Sequence, residues 1–395
     1  MRKFTFLIFA VLVFVLVSCE KQDNTIVTSQ NDESALYKSG NIIPGQYVVV
    51  FNEEVAGLKS KGATYKINLD KVSEKGADIL AKANIKPRKF LQTYASAIEG
   101  FALNLSDSEV AELRKQPGIK VYADEMCQNR YGNPHVDPVQ PPQSVPYGIE
   151  RVGYDDYTGT HLAWIIDTGI DYDHPDLNVD TTLAKTFVFH TTTAEDDHGH
   201  GTHCAGILAA KNNSIGVIGV AANAYVVPVK VLDHTASGPW SVIIAGIDYV
   251  AANATPGDVA NISIVGHDYD PVDLAVINLG LSGVFVGICA GNDRDDANNH
   301  SPGRAEGVNL YTVSACDIND SWAWFSNYGN PPIEFCAPGV NVYSTYLGGT
   351  YTTMNGTSMA TPHVCGLLLI TNGNVKIDGY VNGDPDGNPD PIAHK

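Results

Sequence analysis

The stretch AWIIDTGIDYDHPDL, residues 163–177, decides how the rest of the chain is read. Ala163 to Ile166 are apolar without alternation, the pattern of a strand buried on both faces, and Asp167-Thr168-Gly169 breaks the run with turn residues. Strands of that kind belong to parallel sheets, which place their sites at the carboxyl ends of the strands. Asp167 stands at such an end. Working outward, DDHGHGTHCAG (196–206) leads into HGTHCAGILAA, a predicted helix that opens on His200 and carries Gly201, Ala205 and Gly206, small enough for close packing. NGTSMATPHVCG (355–366) places Ser358 at the start of a helix with an apolar remainder, in which Pro362 is expected near the first turn. A serine hydroxyl is a poor nucleophile at neutral pH; it needs a base within hydrogen-bond reach and a third group that fixes the tautomer of that base. Asp167, His200 and Ser358 supply the three parts.

In that chain order, and residue by residue across each segment, the three stretches resemble the subtilisin-like serine peptidases, the subtilases. A fourth, VGICAGND (286–293), is similar to the family segment whose Asn helps hold the oxyanion and maps to Asn292. The resemblance implies a three-layer α/β catalytic domain with a mainly parallel sheet, and peptide-bond hydrolysis through an acyl-enzyme. Ser358 attacks, His200 moves the proton, Asp167 orients His200, and Asn292 with backbone N–H groups holds the oxyanion. A degenerate, subtilase-like binding protein is the alternative. An α/β-hydrolase esterase is disfavoured because Ser358 lies in GTSMA and not in a G-x-S-x-G elbow.

The family resemblance extends to other pieces. QSVPYGIERV (143–152) looks like a mature N-terminus and KNNSIGVIGV (211–220) like a calcium loop, which implies Ca²⁺ held by Gln143, Asp176, the Lys211 carbonyl, the Asn213 side chain and the Ile215 and Val217 carbonyls. Six oxygens with one carboxylate suit a hard cation. LDHTASGPWS (232–241) and NISIVG (261–266) are similar to the segments between which an extended substrate adds as a strand, implying substrate contacts at Ser237, Gly238, Ser263, Ile264, Val265 and Gly266, with Trp240 at an outer pocket. Val265 stands where the family usually has Gly, so a narrowed cleft is expected. Asp293 is read as a solvated loop acid of the DRDD run, with contact to a basic side chain at the pocket rim as the other reading.

Upstream, QYVVVF, SEKGADILAKANI, YASAIEGFALNL, SDSEVAELRKQPGI and KVYADE read as strand, helix, one or two strands, helix and strand, with Ser106 and Glu109 forming a capping box. The βαββαβ order is that of a small ferredoxin-like α+β unit and resembles the inhibitory propeptide of subtilases. Arg2 and Lys3 precede the apolar run FTFLIFAVLVFVLV, too short for a comfortable membrane span and right for a signal core. It ends in Leu16-Val17-Ser18-Cys19, which resembles a bacterial lipobox with Cys19 as the lipidated residue; a plain secretory signal is the alternative.

The expected organisation is therefore signal peptide 1–18, tether 19–43, inhibitory prodomain 44–126, linker with the maturation site 127–142, catalytic domain 143–371 and polar C-terminal tail 372–395. The tail, with its DPDGNPDP run, reads as a loop or turn series. A net charge of −19 argues against a nucleic-acid partner. The expected partners are protein or peptide substrates, the chain's own prodomain as inhibitor, and a membrane through the N-terminal lipid; the protein is expected to be an exported monomer. Cys127, Cys204, Cys289, Cys316, Cys336 and Cys365 allow up to three disulfides, although Cys204 and Cys365 equally suit buried free thiols.

Overall fold

The computed structural model describes residues 40–53, 55–58, 64–128, 136–137 and 140–395; the signal segment, Cys19 and most of the tether lie outside the described residues. The first module runs β1 (Ile42–Phe51), α1 (Tyr65–Lys82), β2 (Gln92–Ala95), β3 (Glu99–Asn104), α2 (Asp107–Leu113) and β4 (Ile119–Gln128). Its βαββαβ order is the expected one. Helix α1 begins eight residues before the predicted SEKGADILAKANI segment, capped by the Thr64 hydroxyl, which accepts from the Ile67 N–H. The capping box of α2 is formed by Ser106 and Glu109. Alternation sends Val49, Phe101 and Leu103 toward α1 and α2, while Val48, Val50 and Ala102 point the other way, into the main body of the protein.

That body contains β5 (Ala163–Asp167), α3 (His200–Ala209), β6 (Tyr225–Lys230), β7 (Ser237–Pro239), α4 (Trp240–Asn253), β8 (Val259–Ile262), β9 (Gly266–His267), α5 (Asp270–Leu281), β10 (Phe285–Cys289), β11 (His300–Ser301), β12 (Leu310–Cys316), β13 (Ile333–Pro338), α6 (Thr357–Thr371), β14 (Lys376–Tyr380) and β15 (Pro391–His394). The central sheet has the order β14-β15-β13-β12-β10-β8-β5-β6 followed by Asn178–Val179, and every pairing except β14 with β15 is parallel. Ala163 and Ile165 face a core shared with α3 and α6; Trp164 and Ile166 face one shared with α4 and α5. The unbroken apolar run in β5 has its physical cause in these two covered faces, and three layers result.

Two features depart from the sequence reading. The tail expected as a loop carries β14 and β15, because β13 at the sheet edge still has backbone groups to pair and Cys336 bridges to Ile392, whose side chain is buried. The C-terminal Lys395 then closes on Asp155 at 2.6 Å. The linker expected from residue 127 begins later: Cys127 and Gln128 complete β4. All six described cysteines are free and buried.

Candidate active site

Asp167 ends β5 and is fully buried; its Oδ1 accepts from the Thr168 N–H at 2.7 Å and lies 2.7 Å from His200 Nδ1. His200 is the first residue of α3. The approach depends on Gly201, where a Cβ would fall 2.1 Å from the Gly169 carbonyl and 3.1 Å from the Asp167 side chain. Asp196 fixes the helix start by accepting from the Gly199 N–H at 2.9 Å and from the Thr202 N–H and hydroxyl at 3.0 and 2.6 Å. A carboxylate on Nδ1 holds the imidazole in the tautomer that leaves Nε2 for a substrate-side proton.

Ser358 is the second residue of α6, at the positive end of that helix. Pro362 lies inside the helix and not at its first turn. Lacking an N–H, it leaves the Ser358 carbonyl without its helical donor. The Ser263 hydroxyl at 3.0 Å and the Cys204 thiol at 3.4 Å donate to that carbonyl instead. Cys204 Sγ is also 4.0 Å from His200 Nε2, so one small residue touches both helices. Burial pushes its thiol well above the ordinary range, which keeps it neutral. The Ser358 hydroxyl donates to the Ser263 carbonyl at 3.2 Å, and Asn261 steadies the Ser263 hydroxyl at 3.0 Å.

Asn292 follows β10. Its Oδ1 accepts from the Thr357 N–H at 2.9 Å and the Thr357 hydroxyl at 3.1 Å, which orients the amide nitrogen the other way. A Cβ at Gly356 would lie 3.6 Å from Asn292 Nδ2 and 3.6 Å from the Ser358 backbone nitrogen, so the glycine leaves an open point equidistant from two donors. The same point is 3.7 Å from Asn292 Oδ1.

The cleft beside these groups holds the first module's last strand. Met126, Cys127 and Gln128 pair antiparallel with Pro239, Gly238 and Ser237 of β7. Cys127 Sγ donates to the Val265 carbonyl at 3.1 Å from a cluster shared with Trp240, Ile264 and Tyr269, the Trp240 and Tyr269 rings stacking at 5.8 Å. Helix α4 has no side-chain cap of its own, and Asp124 from β4 supplies one, accepting from the Ser241 N–H at 3.1 Å. Farther along α4, Asp248 accepts from the Ala95, Ser96 and Ala97 N–H groups at 2.9, 2.5 and 2.6 Å and from the Tyr65 hydroxyl at 2.9 Å. The segment Ser263–Gly266 faces the same cleft, and Val265 Cγ1 would be 3.5 Å from a Cβ on Gly291.

The residues expected around calcium come together. Gln143 Nε2 donates to the Lys211 carbonyl at 3.0 Å, Asn213 Nδ2 to Asp176 Oδ1 at 2.7 Å, and the Val217 N–H to Asp176 Oδ2 at 3.0 Å; the Ile215 N–H donates to Asn213 Oδ1 at 2.7 Å. Asp176 is buried, which raises its carboxyl above the usual range. The Asp176 carboxylate, the Lys211 carbonyl and the Gln143 and Asn213 amides carry oxygens of the kind a hard cation takes, while Ile215 and Val217 present N–H groups to this set.

Sequence reasoning missed Thr357, Gly356, Ser263 as a brace of the Ser358 carbonyl, and Asp248. Only Gly356-Thr357 carried a local signal, by adjoining Ser358 in sequence.

Residues 161–376 match the model of the subtilase family, and residues 46–128 match that of the peptidase inhibitor I9 family. The chain is 36% identical over 334 residues to subtilisin E of Bacillus subtilis (strain 168), covering 82% of this chain and 79% of that one. It is 35% identical over 343 residues to the cuticle-degrading protease of Metarhizium anisopliae, covering 83% and 79%. A cold-adapted subtilisin-like serine proteinase of known structure aligns with a TM-score of 0.57 at 32% identity, covering 63% of this chain and 97% of its own. With both modules matched and the Asp167–His200 pair in place, the chain belongs to the subtilase family: it is a serine-type endopeptidase that carries its own I9-type propeptide.

Proposed function

We propose that this protein is made as a self-processing zymogen in which Ser358 is the nucleophile, His200 the proton carrier, Asp167 the group that orients His200, and Asn292 with the Ser358 N–H the oxyanion donors. The observation that carries the reading is the pairing of Met126–Gln128 with Ser237–Pro239 beside the buried Asp167–His200 hydrogen bond. A substrate taking the same place adds as a strand and presents its next residues to Ser358. His200 Nε2 then removes the Ser358 hydroxyl proton as the hydroxyl oxygen attacks the carbonyl carbon, and returns it to the leaving amine; water repeats the sequence on the acyl-enzyme. Ser237, Gly238, Trp240 and Ser263 to Gly266 line the substrate side, and Val265 narrows it.

Ca²⁺ bound by Gln143, Asp176, Lys211, Asn213, Ile215 and Val217 would tie the mature N-terminus to the elements that bear Asp167 and His200. The N-terminal segment reads as an export signal, with Cys19 as a lipid anchor. Changing Cys19 to Ser should release the protein from membranes or stall its processing, and unchanged membrane fractionation would count against the anchor.

Casein hydrolysis by the purified protein, with mass spectrometry of its ends, tests the zymogen reading. We expect cleavage between the two modules and activity that follows it, and a Ser358→Ala protein that stays full-length. Processing of that variant at the wild-type rate in the absence of other proteases would overturn self-maturation.

A further inference from the structure

The catalytic sheet carries an interior cation that the triad chemistry leaves unused. Lys230 ends β6, its side chain is 1% exposed, and a lysine buried to that degree is rare unless it is paired. Its register partner on β5 is Asp167. Val229 and Val231 face the core shared with α4 and α5, as Ile166 does, so alternation sets Lys230 and Asp167 side by side on the opposite face. The Lys230 Nζ donates to the Thr168 carbonyl and to Asp197 Oδ1, both at 2.5 Å. Thr168 is tied in turn to both members of the catalytic pair. Its N–H donates to Asp167 Oδ1 at 2.7 Å, and its hydroxyl accepts from the N–H of Gly201, next to His200, at 2.9 Å. Asp197 adjoins Asp196, whose carboxylate fixes the start of α3, and precedes His200 by three residues. One ammonium is thus bonded to the turn that leaves Asp167 and to the loop that enters His200. Apolar packing could fill the same space, often without loss of stability; what the ammonium adds is the tie and a fixed positive charge.

We propose that Lys230 is a positioning residue for the peptidase reaction: it joins the Asp167–Thr168 turn to the Asp196–Asp197 loop, holds Asp167 and His200 at their 2.7 Å separation, and offsets the buried Asp167 carboxylate. It touches no substrate and acts through the Asp167–His200 pair, so it rests on the triad reading above. The titratable groups around His200 fall into two sets. His198 in the preceding loop, His203 on α3 and His363 on α6 are held by burial below the ordinary imidazole range, and the Cys204 and Cys289 thiols above theirs, so all five are neutral near pH 7. That leaves the carboxylates of Asp167, Asp196 and Asp197 and the Lys230 ammonium. Removing the ammonium favours the protonated imidazole, and removing the Asp197 charge disfavours it. Asp197 is 45% exposed, so its share is the smaller and weakens in salt.

The test compares processed wild-type, Lys230→Met, Lys230→Arg and Asp197→Asn proteins on one peptide anilide from about pH 5 to about pH 9, where the acid limb of kcat/KM reports the imidazole of the free enzyme. In Lys230→Met we expect kcat to fall about tenfold or more with KM little changed, and the acid limb to move to higher pH. Lys230→Arg keeps the charge, so its acid limb should stay with the wild type and part of the lost rate should return. Asp197→Asn keeps an acceptor oxygen for Lys230 and loses only the charge. Its acid limb should move the other way, to lower pH, by an amount that shrinks as salt is raised. A side chain that merely fills space has no reason to give shifts of opposite sign. Wild-type kcat in folded Lys230→Met, or acid limbs that do not move or move together, would overturn the proposal. Asp197→Asn lies at a half-exposed position and tests the charge balance even where Lys230→Met does not fold; an unmoved acid limb there is equally fatal. His200→Ala separates the two levels. Full hydrolysis by that protein would remove the triad reading, whereas its loss beside wild-type pH profiles in the Lys230 and Asp197 variants would remove this proposal alone.

Discussion

The side-chain oxygen of Asn292 accepts from both the backbone N–H and the hydroxyl of Thr357, at 2.9 and 3.1 Å, and this pair of bonds aims the Asn292 amide nitrogen at the space left open by Gly356. Replacing Asn292 with Ala should therefore lower kcat by about 100-fold or more with KM little changed, the signature of a donor used only in the transition state. Thr357→Val, which keeps the N–H and removes the hydroxyl, should cost a smaller factor. Full turnover by Asn292→Ala would remove the oxyanion assignment.

Asp248 is the buried acceptor for three successive N–H groups of the propeptide, at Ala95, Ser96 and Ala97. Hydrogen bonds to a charged acceptor contribute about 1.5–3 kcal/mol each where they are not replaced by water. Asp248→Ala should weaken the hold on the cleaved propeptide by at least about tenfold, seen as a shortened lag before activity appears. A lag of wild-type length would show that the strand pairing at Gly238 carries the inhibition by itself.

This carboxylate also shows where the sequence stops being informative. One Asp inside an apolar helix has no local pattern, and its partners lie about 150 positions away in sequence. The signals that did speak were local: the unbroken run of β5, the capping box at Ser106, and the small residues around His200. The tail was misread for the converse reason. KIDGY and PIAH sit among Gly, Pro and Asp and read as turns, and they become strands only because β13 offers an edge on which Ile392 is buried. Pro362 was placed a turn too early, because the donors that compensate for its missing N–H, Ser263 and Cys204, come from distant segments.

Calcium should govern stability more than chemistry. The convergence of Gln143, Asp176 and the 211–217 loop would let one ion tie the chain segment after the propeptide to both catalytic elements. An ion that binds only the folded form adds roughly 2.7 kcal/mol at one hundred times its dissociation constant. Chelation should lower the unfolding temperature and speed self-digestion while initial rates survive, and Asp176→Ala should abolish the response. An unchanged melting curve for metal-free protein in excess chelator would reject the site.

Asp390 on the C-terminal segment should set a pH dependence. It is fully buried, accepting from Ser314 at 2.5 Å and Asn330 at 2.8 Å, and burial pushes its carboxyl up to about 7 despite those bonds. The unfolded chain releases this proton near pH 4. Between those values the folded state binds the extra proton, so stability falls as pH rises from about 4 to about 7 and then levels off. Glu334, raised by burial to about 8, acts in the same sense over a wider range. In Asp390→Asn the fall in melting temperature from pH 5 to pH 8 should be smaller than in the wild type. Superimposable pH profiles would contradict the assignment.

The most direct test of the account is intact-mass and peptide mapping of the mature protein after reaction with a serine-directed phosphonate, read beside residual casein hydrolysis. A single adduct on Ser358 with parallel loss of activity is the predicted result, because Ser358, the second residue of α6, is the proposed nucleophile and His200 its proposed base. Labelling at another residue, or undiminished hydrolysis by fully labelled protein, would contradict it.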